Sequence, residues 1–433
     1  CISEQIRLPG CRGRKVEAEF SGQAITSDGG GALLRAADSL INLLPRVAKS
    51  FSDIRRKASC DHSLEDMLKQ RVYAMALGYE DLNDHDQLRS DPALQTFVGR
   101  DVELASSSTL CRFENNVDAR SMWGLSQVLV DVFLESFDTP PKEIILDFDS
   151  TDDKIHGNQV GRFFHGYYDH YCFLPLYAFC GDHLLAAYLR PSNIDNALHT
   201  LGILGLLVKY IRARWPDVRI VFRGDSGFCR WKIMRWCDKN DVNYILGLAK
   251  NKRLSARADS LRLEAHLRFL ETGEKQKLFG EVVYGAKSWD RERRVIVKAE
   301  HLPKGANPRY VVTNVEGEPS EIYKEYCMRG EMENRIKEQQ LYLFADRTSC
   351  TQWLPNQLRL LLSGLAYTLL NTIRRLGLSG TDMARARCDT IRLKLLKIGA
   401  AVVRNTRRVR LLLSNAYPYK ELFRLVAARI CPG

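Results

Sequence analysis

The sequence predicts an α/β fold of mixed α+β character, in which a sheet-bearing core is interrupted by a β-rich insertion and flanked by helical regions. Three observations predict it. Short segments rich in Ile, Val, Tyr and Phe alternate with helical stretches between residues 141 and 254. Period-two patterns follow over residues 255–321, and three-to-four spacing of Leu, Met and Ala dominates the remaining chain.

The same patterns divide the chain into consecutive parts. They are a helical N-terminal domain (residues 1–140), the first part of the core (141–254), the β-rich insertion (255–321), the continuation of the core (322–375) and a basic helical C-terminal region (376–433). A chain of 433 residues is long enough for two or three domains. The dipeptide Pro140-Pro141 marks the end of the first part.

The N-terminal domain is predicted to be helical over residues 32–135, with clear helical spacing at 64–77 and 122–137. Between those two helices, the hydroxyl cluster 106–109 precedes a segment that contains Arg112. Such a cluster before an Arg-bearing helix is typical of the second helix of a DNA-reading helix-turn-helix, and also of an ordinary serine N-cap. Arg112 is therefore a candidate DNA contact.

The core is predicted to alternate strands with helices. The predicted strands are 143–149, 167–179, 183–189, 219–223 and 244–249, and the predicted helices are 196–214 and 230–239. In the insertion, period-two stretches predict strands at 281–284, 294–299 and 310–313. Three strands close together, followed by helix, strand, helix and strand, indicate a mixed sheet.

Composition excludes several protein classes. With 45% hydrophobic and 27% charged residues, the chain is neither disordered nor collagen-like. No apolar stretch approaches the ~20 residues of a membrane span and no secretory leader is visible, so a cytoplasmic protein is expected. The 12 cysteines show no C-x-x-C spacing, which predicts reduced thiols. Because the chain begins with Cys, its natural start is expected upstream.

The positive charge is concentrated in the C-terminal region. The net charge is +12, and residues 374–433 alone contain 14 Lys and Arg against three acids. These basic residues recur all round the predicted helices, which favours nucleic acid over an anionic membrane surface as the partner. Candidate DNA contacts there are Arg404, Arg407, Arg408 and Arg410.

Two acidic side chains lie on the first core strand. Alternation places Asp147 and Asp149 on one face of that strand, while Ile144, Leu146 and Phe148 face the core. Two like charges side by side repel each other, and natural sequences rarely accept that without a cation.

Further acids occur at two other places. Asp225 follows the predicted strand 219–223, where open α/β sheets place their chemistry, although a helix N-cap would explain it equally well. Spacings of three, four, four and three residues would put a set of polar side chains on one stripe of a helix, which is usually a solvated face. That set is Tyr326, Arg329, Glu333, Lys337 and Gln340.

Three carboxylates from separate segments suggest a site for hard divalent cations. Magnesium prefers oxygen ligands, and two ions about 3.5–4 Å apart can activate a nucleophile and stabilise a leaving oxygen in phosphodiester chemistry. Combined with the basic C-terminal region, this site predicts a nuclease or a strand transferase.

Recognisable motifs are spread over nearly the whole chain. They are Thr26-Ser27-Asp28-Gly29-Gly30, Gln70-Arg71-Val72-Tyr73, Gly78-Tyr79-Glu80-Asp81-Leu82-Asn83-Asp84, Thr109-Leu110-x-Arg112-Phe113-Glu114, Leu146-Asp147-x-Asp149-Ser150-Thr151, His156-Gly157-x-Gln159, Leu189-Arg190-Pro191, Gly224-Asp225-Ser226-Gly227-Phe228 and Gly247-Leu248-Ala249-x-Asn251. By these motifs the chain resembles bacterial insertion-sequence transposases of the DDE class, which have a ribonuclease H-like catalytic core. It is most similar to the branch whose third acid lies in a Y-x2-R-x3-E-x6-K signature.

The resemblance implies the catalytic acids. Asp149 would be the first, Asp225 the second and Glu333 the third, with Asp147 as the alternative for the first place and a possible metal ligand. Two Mg²⁺ ions would be bound, with Mn²⁺ able to substitute. The gap between Asp225 and Glu333 suits the inserted subdomain of this branch.

The resemblance also implies DNA contacts. Tyr326 and Arg329 match the signature and would contact phosphate near the cut site. The closing Lys of the signature is Gln340 here, and Lys337 could replace its charge or form a simple helix ion pair. Trp289 would stack on a flipped base, unless it is an ordinary core or surface residue. His156 and Gln159 match a motif without a defined role.

The activity implied is cut-and-paste DNA transposition, in which the N-terminal domain (residues 1–140) would bind the DNA ends. A homodimer would pair the terminal inverted repeats, nick one strand and direct the released 3′-hydroxyl at the opposite strand or at target DNA, in the cytoplasm and at the nucleoid of a bacterium. Two alternatives remain open: a catalytically silent or domesticated DNA-binding descendant, suggested by Gln340, and a stand-alone ribonuclease H-like nuclease. The first would bind without excision, and the second would cut DNA that lacks transposon ends.

Overall fold

The computed structural model describes residues 6–20, 22–53, 55–56 and 60–431. The chain divides into two compact units, Cys1–Glu114 with Leu369–Gly433, and Asn115–Thr368. Each unit is built around its own buried side chains.

The N-terminal segment is largely helical, as predicted, with short strands before the helices. Its elements are β1 (Ile6–Cys11), β2 (Arg14–Ala18), β3 (Ile25–Thr26), α1 (Ala32–Ile41), α2 (Leu43–Ser50), α3 (Leu64–Leu77), α4 (His85–Leu88), α5 (Pro92–Val98) and α6 (Ser107–Asn115). The predicted helix at 64–77 is confirmed. It begins at Ser63 in a capping box with Asp66 and ends at Gly78, whose φ of +98° suits glycine.

Two of the motifs meet in a buried polar network of this unit. The guanidinium of Arg71 donates to Glu114 (2.8 Å) and lies 3.2 Å from His85, while the amide of Gln70 donates to the carbonyl of Ala105 (2.9 Å). Burial, followed by the charge of Arg71, holds the pKa of His85 well below its usual range, so the imidazole is neutral. These motif residues therefore support the fold of the unit.

The second unit contains the predicted alternation of strands and helices. Its first elements are α7 (Ala119–Leu134), β4 (Glu143–Ser150), β5 (Asp153–Lys154), β6 (Phe163–His165), β7 (His170–Phe173), β8 (Leu176–Cys180), β9 (His183–Tyr188), α8 (Thr200–Arg214), β10 (Arg219–Gly224), α9 (Trp231–Lys239) and β11 (Asn243–Leu248). The single strand predicted at 167–179 is wrong. Pro175, which has no N–H to donate, separates β7 from β8, and the chain turns at Asp169 with a φ of +57°.

The remaining elements of this unit follow β11. They are α10 (Lys252–Arg257), α11 (Asp259–Thr272), β12 (Gln276–Tyr284), β13 (Arg293–Leu302), β14 (Gly305–Ala306), β15 (Arg309–Thr313), α12 (Pro319–Cys327), α13 (Gly330–Leu343) and α14 (Trp353–Thr372). The three strands predicted in the insertion are confirmed as parts of β12, β13 and β15. Two helices precede them in the segment that the sequence predicted to be β-rich.

One large mixed sheet organises the unit, in the order β12-β13-β15-β11-β10-β4-β8-β9. Strand β10 runs parallel to both β4 and β11, whereas β8 and β9 are antiparallel neighbours. The strands of the insertion continue this sheet, because β15 pairs antiparallel with β11. The sequence predicts a separate subdomain here, but the strands of the insertion extend the core sheet.

The two faces of the sheet carry different side chains. On one face Ile144, Leu146 and Phe148 join the large apolar core with α7, α8 and α9. On the other face Val221 and Ile245 pack with residues of α12. This alternation confirms the prediction for β4 and turns its acidic side chains towards α12 and α13.

The C-terminal region is only partly helical. After one π-helical turn at Ile373–Gly377 come α15 (Cys388–Ile391), a second π turn at Arg392–Leu396, β16 (Ala400–Asn405), β17 (Arg408–Leu413) and α16 (Lys420–Ile430). The all-helical prediction is wrong for β16 and β17. They form an antiparallel hairpin in which the side chain of Asn405 accepts from the backbone N–H groups of Arg407 and Arg408 at the turn.

Membrane-spanning helices and disulfides are both absent from the described residues. No helix there is both long and apolar enough to cross a bilayer. No disulfide joins any of the cysteines between residues 11 and 431 that the structure describes.

Candidate active site

The first acid stands at the carboxyl end of β4. Oδ1 of Asp149 accepts from the backbone N–H of Ser150 (2.9 Å), and Oδ2 accepts from Nη1 of Arg329 (2.9 Å). Its side chain is only 15% exposed. The carboxylate is therefore held between its own strand and the segment that precedes α13.

The second acid leaves the sheet at the same edge. Strand β10 is parallel to β4 with Gly224 opposite Phe148, so Asp225 emerges beside Asp149. Oδ1 of Asp225 also accepts from the N–H of Gly227 (2.8 Å) and caps a short 3₁₀ turn. The helix-cap interpretation is thus correct for this turn, and the position at the strand end is the one expected of a site acid.

The third acid lies in the first turn of α13. The chain does not form the continuous helix predicted around it, because α12 ends at Cys327 and α13 begins at Gly330. Arg329 sits at the junction, and its Nη2 donates to Oε1 of Glu333 (2.6 Å). A carboxylate in the first helical turn is favoured by the helix dipole.

The three acids converge around Arg329. One guanidinium bridges Asp149 and Glu333 through separate nitrogens. Burial raises the pKa of Asp149 to about 7, to which the charges of Asp225 and Glu333 add, while Arg329 and the N–H of Ser150 oppose the rise. The site therefore holds more negative charge than its single arginine balances.

The chemistry of these acids, rather than their present spacing, suits a hard divalent cation. Within the parts of the chain that the structure describes, no group of three His, Cys, Asp or Glu side chains is spaced to hold a metal ion, and the guanidinium of Arg329 lies between Asp149 and Glu333. All the available ligands are carboxylate oxygens, which magnesium prefers. A bound cation would relieve the part of the pKa rise of Asp149 that comes from the charges of Asp225 and Glu333, which is smaller than the part caused by burial.

Asp147 has a different ion-pair partner from Asp149. Arg223, directly opposite it on β10, donates to both of its oxygens (2.5 and 2.7 Å) and to the carbonyl of Glu325 (2.5 Å). Both side chains of the ion pair are buried. This bidentate pair favours a structural role for Asp147.

Gly247, which the motif 247–251 contains without an assigned role, permits the close packing of the site. A Cβ on Gly247 of β11 would lie 2.6 Å from the hydroxyl of Tyr326 and 2.9 Å from the backbone nitrogen of Ser226. Tyr326 also feels the charges of Arg329 and Asp225, and burial is the largest cause of its raised pKa. The motif 247–251 contained this signal, because a glycine in a buried strand often marks a close backbone approach.

Gly247→Ala is expected to reduce strand cleavage about 100-fold, because displacing Tyr326 or the turn after Asp225 by about 1 Å misaligns the acids. The matched control is Gly202→Ala, since nothing lies within 4 Å of a Cβ added there on α8. A cleavage assay with thermal melting of both variants separates the two effects. Full activity of Gly247→Ala would show that the site tolerates the shift.

The other two polar residues of the signature helix, Gln340 and Lys337, lie in different surroundings. The amide of Gln340 donates to the carbonyl of Asp152 (2.8 Å), which ties α13 to the loop after β4. Lys337 is exposed on α13. Gln340 is thus engaged by protein backbone, and Lys337 is left with its charge in solvent.

Trp289 is partly buried beside the main core. Its ring packs edge-on against Tyr284, with ring centroids 5.6 Å apart. This contact favours the ordinary packing role over base stacking.

Arg112 is exposed on α6, and its guanidinium donates to the hydroxyl of Thr109 (3.0 Å). Residues 99–106 separate α5 from α6, which is longer than the turn of about 3–4 residues in a helix-turn-helix. A contact between Arg112 and DNA stays a prediction, without support from that motif.

The arginines of the β16–β17 hairpin have two kinds of surroundings. Arg404 donates to the side chains of Gln95 and Thr96 (2.9 Å each) and to the carbonyl of Pro92, so it fastens the hairpin to α5. The side chains of Arg407, Arg408 and Arg410 are exposed. A two-stranded ribbon is one of the elements that fit the DNA major groove.

Neutralising Arg407, Arg408 and Arg410 together by Gln is expected to weaken DNA binding and to reduce the slope of log affinity against log salt by up to about 3, roughly one per phosphate contact. Arg404→Gln is expected to lower the melting temperature instead, because it loses bonds to α5. Binding titrations at several salt concentrations, with Lys304→Gln as an exposed control, test this. An unchanged slope would assign the hairpin to another partner.

Comparison with known proteins identifies the family. A family profile described as "Transposase DDE domain group 1" matches residues 8–432, which is nearly the whole chain. The chain belongs to the DDE transposases. No curated protein matches it. Among solved structures it is similar to a piggyBac transposase synaptic complex with hairpin DNA, determined by cryo-EM, at 12% identity and a TM-score of 0.41, over 86% of this chain and 81% of that one.

Membership confirms the resemblance at the level of the family. A DDE transposase domain is a polynucleotidyl transferase acting in DNA transposition, and such enzymes generally use a divalent metal. The observed architecture is mixed α/β with one large mixed sheet, which is the fold class that the sequence predicts.

Proposed function

We propose that this DDE transposase moves a bacterial insertion sequence by cut-and-paste transposition, with Asp149, Asp225 and Glu333 as its catalytic acids. The observation that carries the proposal is the bridge of Arg329 between Asp149 and Glu333 at the sheet edge where Asp225 also emerges. The DNA substrates would be the terminal inverted repeats and the target, bound by a homodimer.

The three carboxylates would hold two Mg²⁺ ions, or Mn²⁺, which supply Lewis acidity and lower the pKa of water when bound. The residues of the chain prepare that site. Burial of Asp149 removes competing water, and the charges of Asp225 and Glu333 favour a cation beside it.

The cationic and phenolic side chains around the acids would position DNA. The guanidinium of Arg329 is suited to bidentate phosphate contact, and the hydroxyl of Tyr326 lies beside the turn after Asp225. Lys337, exposed on α13, would contact the DNA backbone in place of the lysine that Gln340 replaces. In this arrangement Gln340 positions the loop after β4 through the carbonyl of Asp152.

The test is an in vitro cleavage assay on DNA that carries the flanking inverted repeats, with magnesium. Wild type is compared with Asp149→Ala, Asp225→Ala and Glu333→Ala. Cutting at the repeat ends that disappears in all three variants would support the reaction and the triad. Repeat-specific binding without any cutting would favour the silent descendant, and cutting of DNA without repeats would favour a stand-alone nuclease.

A further inference from the structure

A surface hairpin beside the catalytic acids is unusually aromatic. Residues 162–171 comprise Arg162, β6, the turn 166–169 and the first half of β7, and we call them the aromatic hairpin. Several of its large rings face solvent, with exposed fractions of 42% for Phe163, 53% for Phe164, 85% for Tyr167 and 47% for Tyr171. Exposed apolar residues are normal when scattered singly, but a contiguous group indicates a binding surface.

The rings are arranged in register across the two strands. Phe164 is opposite Tyr171, with ring centroids 5.7 Å apart, and the guanidinium of Arg162 lies 4.7 Å from the centre of the Tyr171 ring. At the turn, the ring of Tyr168 lies 5.0 Å from Tyr167. The hairpin therefore presents aromatic faces and edges together with a cation.

The hairpin is anchored to the framework of the catalytic unit. Strand β7 also pairs with β5, whose Asp153 accepts from the hydroxyl of Thr348 (2.8 Å). The ring of His170 lies 2.8 Å from the carboxylate of Asp152. Gly161, with a φ of +87°, lets the chain pass so close to Trp353 that a Cβ would come within 2.7 Å of that ring. These contacts hold the aromatic hairpin in a fixed position on the catalytic unit.

The aromatic hairpin lies close to Asp149, the first proposed catalytic acid. The hairpin begins 13 residues after Asp149, and its strand β7 pairs with β5, which begins three residues after β4 ends. Tyr168 is half-buried, and its pKa is raised to about 12 by burial, then by the charges of Asp152 and Asp149. A DNA strand bound at the acids would therefore pass the aromatic hairpin.

The chemistry of the hairpin suits bases better than paired DNA. Phosphate binding needs cations, and the hairpin has more rings than arginines and lysines. Aromatic side chains interleaved with Arg are the usual platform for unpaired nucleotides, since every base has a face on which to stack. In fully paired DNA those faces are occupied by neighbouring bases.

We propose that the aromatic hairpin stacks against unpaired bases of the DNA strand held at the catalytic acids. The inference rests on the proposed function, because it takes that strand as its ligand. It gives the enzyme a means of holding an opened DNA end in place.

The test uses a forked DNA duplex with an unpaired arm of about six nucleotides that contains 2-aminopurine, beside the same duplex fully paired. Binding is measured with the full-length protein in calcium, by fluorescence quenching and anisotropy. Phe164→Leu and Tyr167→Leu remove a ring and keep apolar character, whereas Phe164→Tyr and Tyr167→Phe keep the ring. Tyr188→Leu, at an aromatic side chain 40% exposed on β9, is the matched control.

Each Leu variant is expected to bind the forked DNA about tenfold more weakly and to lose most of the quenching. Binding of paired DNA should be unchanged, and the ring-keeping variants should resemble wild type. Equal losses for forked and paired DNA, or no loss at all, would overturn the inference. Because Tyr167 is at an exposed turn, its variants keep the test valid if Phe164→Leu fails to fold.

Catalysis is not needed for this measurement, so its failure is distinct from that of the proposed function. A protein that never cuts DNA but loses quenching in the Leu variants would refute the proposed reaction and keep the stacking surface. If the protein cut at the repeats and every variant kept full quenching, the proposed reaction would be supported and the stacking surface refuted.

Discussion

Glu333→Gln is expected to reduce cleavage at the repeat ends by about 10³-fold or more while leaving DNA-end binding within about twofold. The amide keeps the size of the side chain but removes the charge that the site offers to a cation, and several kcal/mol of transition-state stabilisation depend on that cation. Glu333 contacts Arg329 inside the site, whereas the proposed DNA contacts Arg407, Arg408 and Arg410 are exposed on the β16–β17 hairpin. Cleavage rates and binding titrations on the same DNA measure the two effects separately.

The matched control is Glu331→Gln, which removes a charge from the same first turn of α13 at an exposed position. Its cleavage rate should stay close to that of wild type. If Glu333→Gln lost binding as severely as cleavage, the carboxylate would be holding the DNA-binding surface together, and its assignment as a catalytic acid would be wrong.

Asp147→Ala is expected to lower the free energy of unfolding by about 3–5 kcal/mol, because it leaves the guanidinium of Arg223 buried without its carboxylate. The double variant Asp147→Leu with Arg223→Met should recover most of that loss, since apolar side chains can replace a buried ion pair. Asp149→Ala is the control at the same strand, and it should remove cleavage without a loss of this size. Thermal and denaturant unfolding give the stabilities.

Cleavage by the double variant distinguishes the two interpretations of Asp147. Preserved cutting at restored stability would make the Asp147–Arg223 pair a structural support of the sheet. If the double variant were stable but did not cut DNA, Asp147 would instead be the first acid or an additional metal ligand.

Local patterns in the sequence predicted much of the core. Strands β4, β10 and β11 follow from alternating apolar residues, and α8 and α9 follow from helical spacing. Strand ends predict Asp149 and Asp225 as site acids, and the family resemblance implies Glu333 with them. In the structure Arg329 joins Asp149 and Glu333, Asp225 follows the neighbouring strand, and the assignment of the three as catalytic acids stays a prediction.

Other features depend on partners distant in the chain. The pairing of β15 with β11, which joins the insertion to the sheet, is decided by tertiary contacts that no local pattern contains. The ion pair of Asp147 with Arg223 likewise requires β4 and β10 to be in register. The basic and apolar residues of the β16–β17 hairpin fit helical spacing, which predicts helix there, whereas Asn405 and the alternation of Arg408, Val409 and Arg410 indicate a turn and a strand.

The bridge formed by Arg329 has a thermodynamic consequence. Asp149 and Glu333, which would hold a cation, are both paired with Arg329, so part of their affinity for a cation would be lost while Arg329 remains there. A DNA phosphate that drew Arg329 away would remove that cost. Binding of DNA and binding of metal would then be cooperative, and by linkage each would raise the affinity for the other by the same factor. The enzyme would remain largely unloaded with metal until an end of the element arrived.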